Sequence, residues 1–234
     1  MPADYFNMNN ALKFVIALVV TILLMLTFRA LVFTVYTVSG TALEPCFVNG
    51  DRVLVNRWSY GLRTGGGGLF RYTRWFGSQV ERGDLAVFNN PADSARSVSH
   101  RKTLAYYCTG VPGDTVKIGN AHIMVPGKDT PCRVTPYNAQ LLSFLYNRFE
   151  GRKAYVKDNR LYVDGKETKC AIFANDYYWF RSGRSDDKSD SRLFGLVPET
   201  HVIGKVTMLL YSVDESKPIT RSLRKDRKLL FIKK

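Results

Sequence analysis

The run "ALKFVIALVVTILLMLTF" at residues 11 to 28 carries a single charge, Lys13, and is otherwise almost wholly apolar. It is slightly short for a membrane span, which takes about 20 residues. Apolar character resumes after Arg29 with "ALVFTVYTV", and a long arginine side chain can reach back to an interface. The segment therefore reads as an anchor over 11–31, preceded by a short segment 1–10. A cleavable signal peptide is the competing reading. Its apolar region would be long, and "FRA" is a poor small-x-small cleavage site, so the uncleaved anchor is the reading carried forward. Lys13 and the amino terminus stand against Arg29, which sets the orientation only weakly.

Thirty-four Lys and Arg against 20 Asp and Glu give a net charge of +14. The last 18 residues, "KPITRSLRKDRKLLFIKK", hold eight of the cations and one Asp, which is half of that excess. The rest is spread over loops, and no zinc-finger spacing occurs, so nucleic acid is not an expected partner. Anionic lipid accounts equally well for a basic tail over 216–234.

Beyond the anchor the chain reads as strands. "DRVLVNRW", "GDLAVFNN", "KTLAYYCTGV", "TVKIGN", "AHIMV", "RLYVDGKE" and "HVIGKVTMLLYSV" are rich in β-branched and aromatic residues and separated by Gly-Asp, Pro-Gly-Asp and Asp-Gly turns. "RALVFTVYTV" directly after the anchor reads the same way. One helix is expected over 137–150, where Leu141, Leu142, Phe144, Leu145 and Phe149 form a broad apolar face. "TGGGG" at 64–68, followed by "LFRYTRWFG", is either a loose insertion or a loop suited to the bilayer surface. Cys46, Cys108, Cys132 and Cys170 allow three pairings; Cys132 and Cys170 fall in the same region and can join, while buried free thiols are an equal reading for Cys46 and Cys108. His100, His122 and His201 have no metal-ligand spacing, and the sequence calls for no metal or cofactor.

Four stretches occur in an informative order. "GTALEPCFVNGDRVLVNRWSYGLR" (40–63) resembles the nucleophile motif of bacterial type I signal peptidases, Gly-x-Ser-Met-x-Pro-Thr followed by Gly-Asp, a strand and Tyr-Gly. "RGDLAVFNNP" (82–91) resembles the next strand. "AYYCTGVPGD" (105–114) resembles the strand that carries the family's lysine, Lys-Arg-x-x-Gly-x-Pro-Gly-Asp. "DKSDSRLFGLVPETHVIGKV" (187–206) resembles the acidic box, Asn-Ser-x-Asp-Ser-Arg-x-x-Gly-x-Val-Pro. The resemblance implies a mainly β protein: an antiparallel sheet core over 32–118 and 186–215, an inserted smaller β-rich subdomain over 119–185, and one N-terminal transmembrane helix. It implies a single-pass protein of the cytoplasmic membrane with its main domain on the extracytoplasmic side. The partners it implies are the bilayer, signal peptides or exported preproteins, and an active signal peptidase paralogue.

The family cuts with a serine and a lysine. A serine hydroxyl needs an adjacent base, and lysine can serve only when burial keeps it neutral. Here the serine position is Ala42, followed by Leu43 in the methionine position. The lysine position is Tyr106 and the arginine after it is Tyr107. The serine that supports the lysine is Lys188. Asp186, Asp190, Ser191 and Arg192 remain, with Asp190 and Arg192 read as an ion pair that fixes the loop. An engineered trap would change one residue; three differ together, which favours a natural paralogue that has lost the dyad. Gly40, Thr41, Ala42, Leu43 and Pro45 form the expected groove and oxyanion region. Thr41 and Lys188 are the candidate substitutes, although the preferred reading of Lys188 is an exposed residue paired with Asp186 or Asp190. Lys102 lies four residues before Tyr106, about 13 Å along a strand, too far to serve without a register change. The functions in view are a peptide-binding but non-cleaving member of the family, a protease using substitutes, and a structural envelope protein.

Overall fold

A computed structural model describes residues 4–64, 73–93, 96–118, 121–214, 216–217 and 222–232. The chain begins with α1 (Asp4–Val32) and passes into β1 (Phe33–Thr37) and β2 (Asp51–Asn56). A short hairpin follows, β3 (Leu62–Thr64) and β4 (Thr73–Trp75), then β5 (Leu85–Asn89), β6 (Thr103–Gly110), β7 (Thr115–Ile118), β8 (Ala121–Met124) and β9 (Cys132–Arg133). Next come α2 (Ala139–Leu145), β10 (Ala154–Lys157), β11 (Arg160–Val163), β12 (Lys166–Glu167), β13 (Cys170–Ala171) and β14 (Tyr177–Arg181). The chain closes with α3 (Ser191–Phe194), β15 (Val197–Pro198), β16 (Val202–Val213) and β17 (Leu223–Phe231).

The helix is longer than the sequence suggested at both ends. It takes in Arg29 to Val32, where the sequence predicts strand, because Arg-Ala-Leu are good helix formers and nothing breaks the turn before the β-branched run of β1. At 29 residues it is about 44 Å long. Its segment Asn10–Thr27 is long and apolar enough to cross a membrane, and none of it is buried against the domain. Thr21 and Thr27 return their hydroxyls to the carbonyls of Ala17 and Leu24, so neither presents an unpaired donor. The reading of Arg29 as an interfacial cation falls outside the described side chains. That of the glycine-rich loop at 64–68 falls, from residue 65 on, outside the described residues.

The remainder is mainly β. The main sheet is antiparallel, in the order β1-β2-β16-β5-β6-β14-β15, with β17 on the far half of β16. Alternation splits its residues between two cores. Leu85, Val87 and Ala105 join Val53, Val55, Val206 and Leu209 on one side. Ala86, Phe88, Tyr106 and Cys108 join Tyr60, Phe180 and Val202 on the other. A third core gathers around α2, where Leu142, Leu145 and Tyr146 pack with Leu161, Phe173 and Tyr177. α2 runs into a π-turn, Tyr146–Glu150, closed by Gly151 in the left-handed region, so the expected helix over 137–150 is regular only in its middle.

β14 lies inside the stretch read as an insertion, yet it pairs with β6 in the main sheet. The basic C-terminal segment is likewise a strand, paired to β16 through Met208↔Phe231 and Leu209↔Leu230. All four cysteines are free. Cys132 and Ala171 face the core while Cys170 is exposed and opposite Arg133, so the two thiols leave opposite faces of their small sheet. Cys108 is buried, but Cys46 is exposed, contrary to its reading as a core thiol.

Candidate active site

Residues 39–47 turn between β1 and β2, held at both ends by ladder-like bonds: Val38 N–H donates to Asp51 (2.8 Å) and Gly50 N–H to Val38 (3.0 Å). Gly40 has φ +83°, a conformation that suits glycine. Leu43 and Phe47 sink into the first core, and Phe47 N–H donates to the Leu43 carbonyl at 3.0 Å. Ala42 packs instead against the second core, beside Tyr106. The elbow thus touches two cores at once, through Leu43 and Phe47 in one and through Ala42 in the other.

β6 delivers Tyr106, 5% exposed, to the same side. Its ring lies 6.1 Å from that of Phe88 and 6.0 Å from that of Phe194. Its hydroxyl donates to the Ser189 carbonyl at 3.0 Å and meets the Ser189 hydroxyl at 2.9 Å. Burial pushes the phenol above its ordinary value; the bond to Ser189 works against this, and the Asp187 and Asp190 charges reinforce it. At neutral pH the group is a protonated donor, with no lone-pair base to offer a nucleophile.

The acidic segment fastens to the elbow from the other side. Ser182 Oγ and Gly183 N–H both donate to the Ala42 carbonyl, at 2.6 and 2.8 Å. Asp190 is fully buried. Its carboxylate accepts from Arg192 Nε and Nη2 at 2.8 Å each, from the Arg192 and Ser182 N–H groups, and stands 3.3 Å from Arg181 Nε. Burial alone would raise this carboxyl; the hydrogen bonds from Arg192 and the Ser182 N–H hold it below its ordinary value. Ser191 Oγ accepts from Phe180 N–H at 2.9 Å, which ties α3 to β14. Glu44, on the elbow, pairs with Arg184 at 3.2 Å.

Between elbow and β6 lies a cleft of about 420 Å³. Gly40 to Leu43 form one wall, Lys102 and Leu104 to Tyr106 the other, and Ser189 and Phe194 close one end. Thr41 is in the wall; Pro45 is not. Lys188 is exposed and does not line the cleft. Its expected partners are engaged elsewhere, Asp186 by Arg184 at 2.6 Å and Asp190 by arginines, so the preferred ion pairs of Lys188 do not form. Lys102, set aside on distance, does line the cleft. The spacing Lys102, Leu104, Tyr106 on one strand face was the available signal. The roles of Ser182, which begins the Ser182-Gly183-Arg184-Ser185 stretch found in place of the family's Gly-Asp-Asn-Arg, and of Ser189 come from tertiary contacts that no local pattern announces. No grouping able to hold a metal ion occurs among the described residues.

The elbow, β6 and the acidic segment all fall within residues 11–211, which match the model of the family described as "Signal peptidase, peptidase S26". The chain belongs to this family. Among similar proteins are signal peptidase IB of Staphylococcus aureus (strain Mu50 / ATCC 700699), 26% identical over 89% of this chain and 94% of that protein, and signal peptidase I P of Bacillus subtilis subsp. natto, 21% identical over 88% and 92%. In this signal peptidase family protein Ala42 and Tyr106, the residues expected from the sequence at the serine and lysine positions, line the same cleft.

Proposed function

We propose that this member of the signal peptidase family is anchored in the cytoplasmic membrane by α1, with the β domain on the extracytoplasmic side. There it holds signal peptides of exported preproteins in the cleft without cutting them. The observation that carries this reading is the Tyr106 phenol, buried, protonated and occupied by Ser189 beside an alanine. Acyl transfer needs a heteroatom to attack and a base to take its proton. Ala42 supplies no heteroatom, and a phenol that is already donating takes no proton. Binding needs neither, since an extended peptide can be held between the elbow and β6 through main-chain bonds and side-chain contacts. Such a protein would act beside an active paralogue, delaying or presenting precursors.

The test is a cleavage assay on the full chain in detergent with an exported preprotein. The expected result is no cleavage, together with crosslinking of the signal peptide to residues 39–45. The Ala42→Ser/Tyr106→Lys double variant should gain measurable cleavage. Cutting by the unmodified chain that disappears in Thr41→Ala would overturn the non-cleaving reading in favour of a protease with a substitute nucleophile.

A further inference from the structure

Two charged side chains line the cleft, Asp187 and Lys102. Asp187 is committed: its carboxylate accepts from Ser189 N–H at 2.8 Å and lies 3.2 Å from Ser182 Oγ. Lys102 differs. Its main chain is fixed, since its carbonyl accepts from Asn90 N–H at 2.8 Å at the mouth of β6. Its ammonium is exposed and has no hydrogen-bond or ion-pair partner among the described residues. It stands one residue before β6 and lines the same cleft as Leu104 and Tyr106, four residues of extended chain, about 13 Å, from the latter. An extended peptide lying along this wall advances by the same rise per residue. The residue that meets Lys102 is therefore four positions from the one that meets Tyr106.

We propose that Lys102 makes the cleft selective for peptides bearing an acidic side chain at that one position. The inference rests on the reading of the cleft as a peptide groove. An unpaired ammonium at the rim of a largely apolar cleft gains most from a carboxylate and loses from a second cation. The gain is that of an ion pair partly open to water, about threefold to fivefold in affinity. It should shrink as salt approaches about 0.5 M, because the Debye length falls below the width of such a site.

The experiment uses the full chain in detergent and a short fluorescein-labelled peptide of small and apolar residues, with a single Asp walked along it and Asn and Lys controls at each place. Anisotropy should show one favoured position for Asp. Lys102→Gln should abolish the preference, so that Asp and Asn peptides bind alike at every position, and Lys102→Glu should reverse it toward Lys. Binding that is equally tight at every Asp position, or a preference that survives in Lys102→Gln, overturns the role of Lys102 and leaves the groove intact. Failure of every peptide to bind removes the groove reading itself, and this inference with it.

Discussion

Tyr106 and Ser189 meet at two points, phenol to carbonyl at 3.0 Å and phenol to hydroxyl at 2.9 Å. The resemblance leads one to expect support at this point from Lys188; Tyr106 is held instead by the next residue, Ser189. Tyr106→Phe keeps the ring contacts with Phe88 and Phe194 and removes only these bonds. Ser189 is exposed and water can replace them, so the expected loss is about 1 kcal/mol. Tyr106→Ala also opens a cavity and should cost about 3 to 5 kcal/mol. Chemical unfolding of the two variants measures the difference.

Alkali should unfold the domain cooperatively. Burial pushes the Tyr60, Tyr106, Tyr177 and Tyr178 phenols above their ordinary range, and pushes the Cys108 thiol and the Tyr107 phenol up to about 12. A group whose value is raised by folding contributes fully below its unfolded value, and that contribution is lost as pH rises toward the folded one. The window therefore opens near pH 9 for the thiol and near 10 for the phenols, and for Cys108 and Tyr107 it closes near 12. Within it each group sets a limit of about 1.4 kcal/mol per pH unit. Circular dichroism melts between pH 8 and 11.5 should show a steepening loss, shallower in Tyr107→Phe. Flat melting temperatures across that range would contradict the buried phenols.

Asp190 shows the opposite sign. Its carboxyl is held below the ordinary value, so its contribution is present at neutral pH and is lost as pH falls through the depressed value. Asp190→Asn leaves Arg192 and Arg181 without their counter-charge and should cost about 2 to 3 kcal/mol, less than a fully enclosed pair because both guanidiniums reach water. The same substitution should flatten the acid limb of the stability curve. Because Asp190 also orders Ser182, which holds the Ala42 carbonyl, peptide binding should weaken along with it.

The strands of the core were legible because alternation and Gly-Asp turns are local signals, and the elbow because residues 40–63 resemble the family's nucleophile motif. The engaged side of the site was not. Ser182, Ser189 and Lys102 acquire meaning only when β14, the acidic segment and β6 come together. The C-terminal segment was misread for a related reason. A count of charge cannot tell an arginine that faces water from one that faces a carboxylate, and Arg224 and Arg227 turn to Asp214 and Asp51. Cys46 was misread because small thiols are usually interior, and nothing local places this one outside.

Gly50 and Gly40 separate two kinds of glycine. Both have positive φ, but a Cβ on Gly40 meets nothing within 4 Å, whereas one on Gly50 would lie 1.9 Å from the Val213 carbonyl oxygen. Gly40→Ala should cost about 1 to 2 kcal/mol, the strain of the left-handed backbone. Gly50→Ala must also displace β16 and break the Val213 N–H bond to Gly50, so its loss should be larger by more than 1 kcal/mol. Equal denaturation midpoints for the two would refute the close approach.

The family match ends at residue 211, and β17 begins at Leu223. From that late strand Arg227 reaches the Cys46 carbonyl at 2.8 Å and buried Asp51 at 2.7 Å, and Arg224 reaches the Asn49 carbonyl at 2.9 Å. The far end of the polypeptide therefore braces the loop immediately behind the elbow. A version trimmed to the recognisable family region would lose that brace.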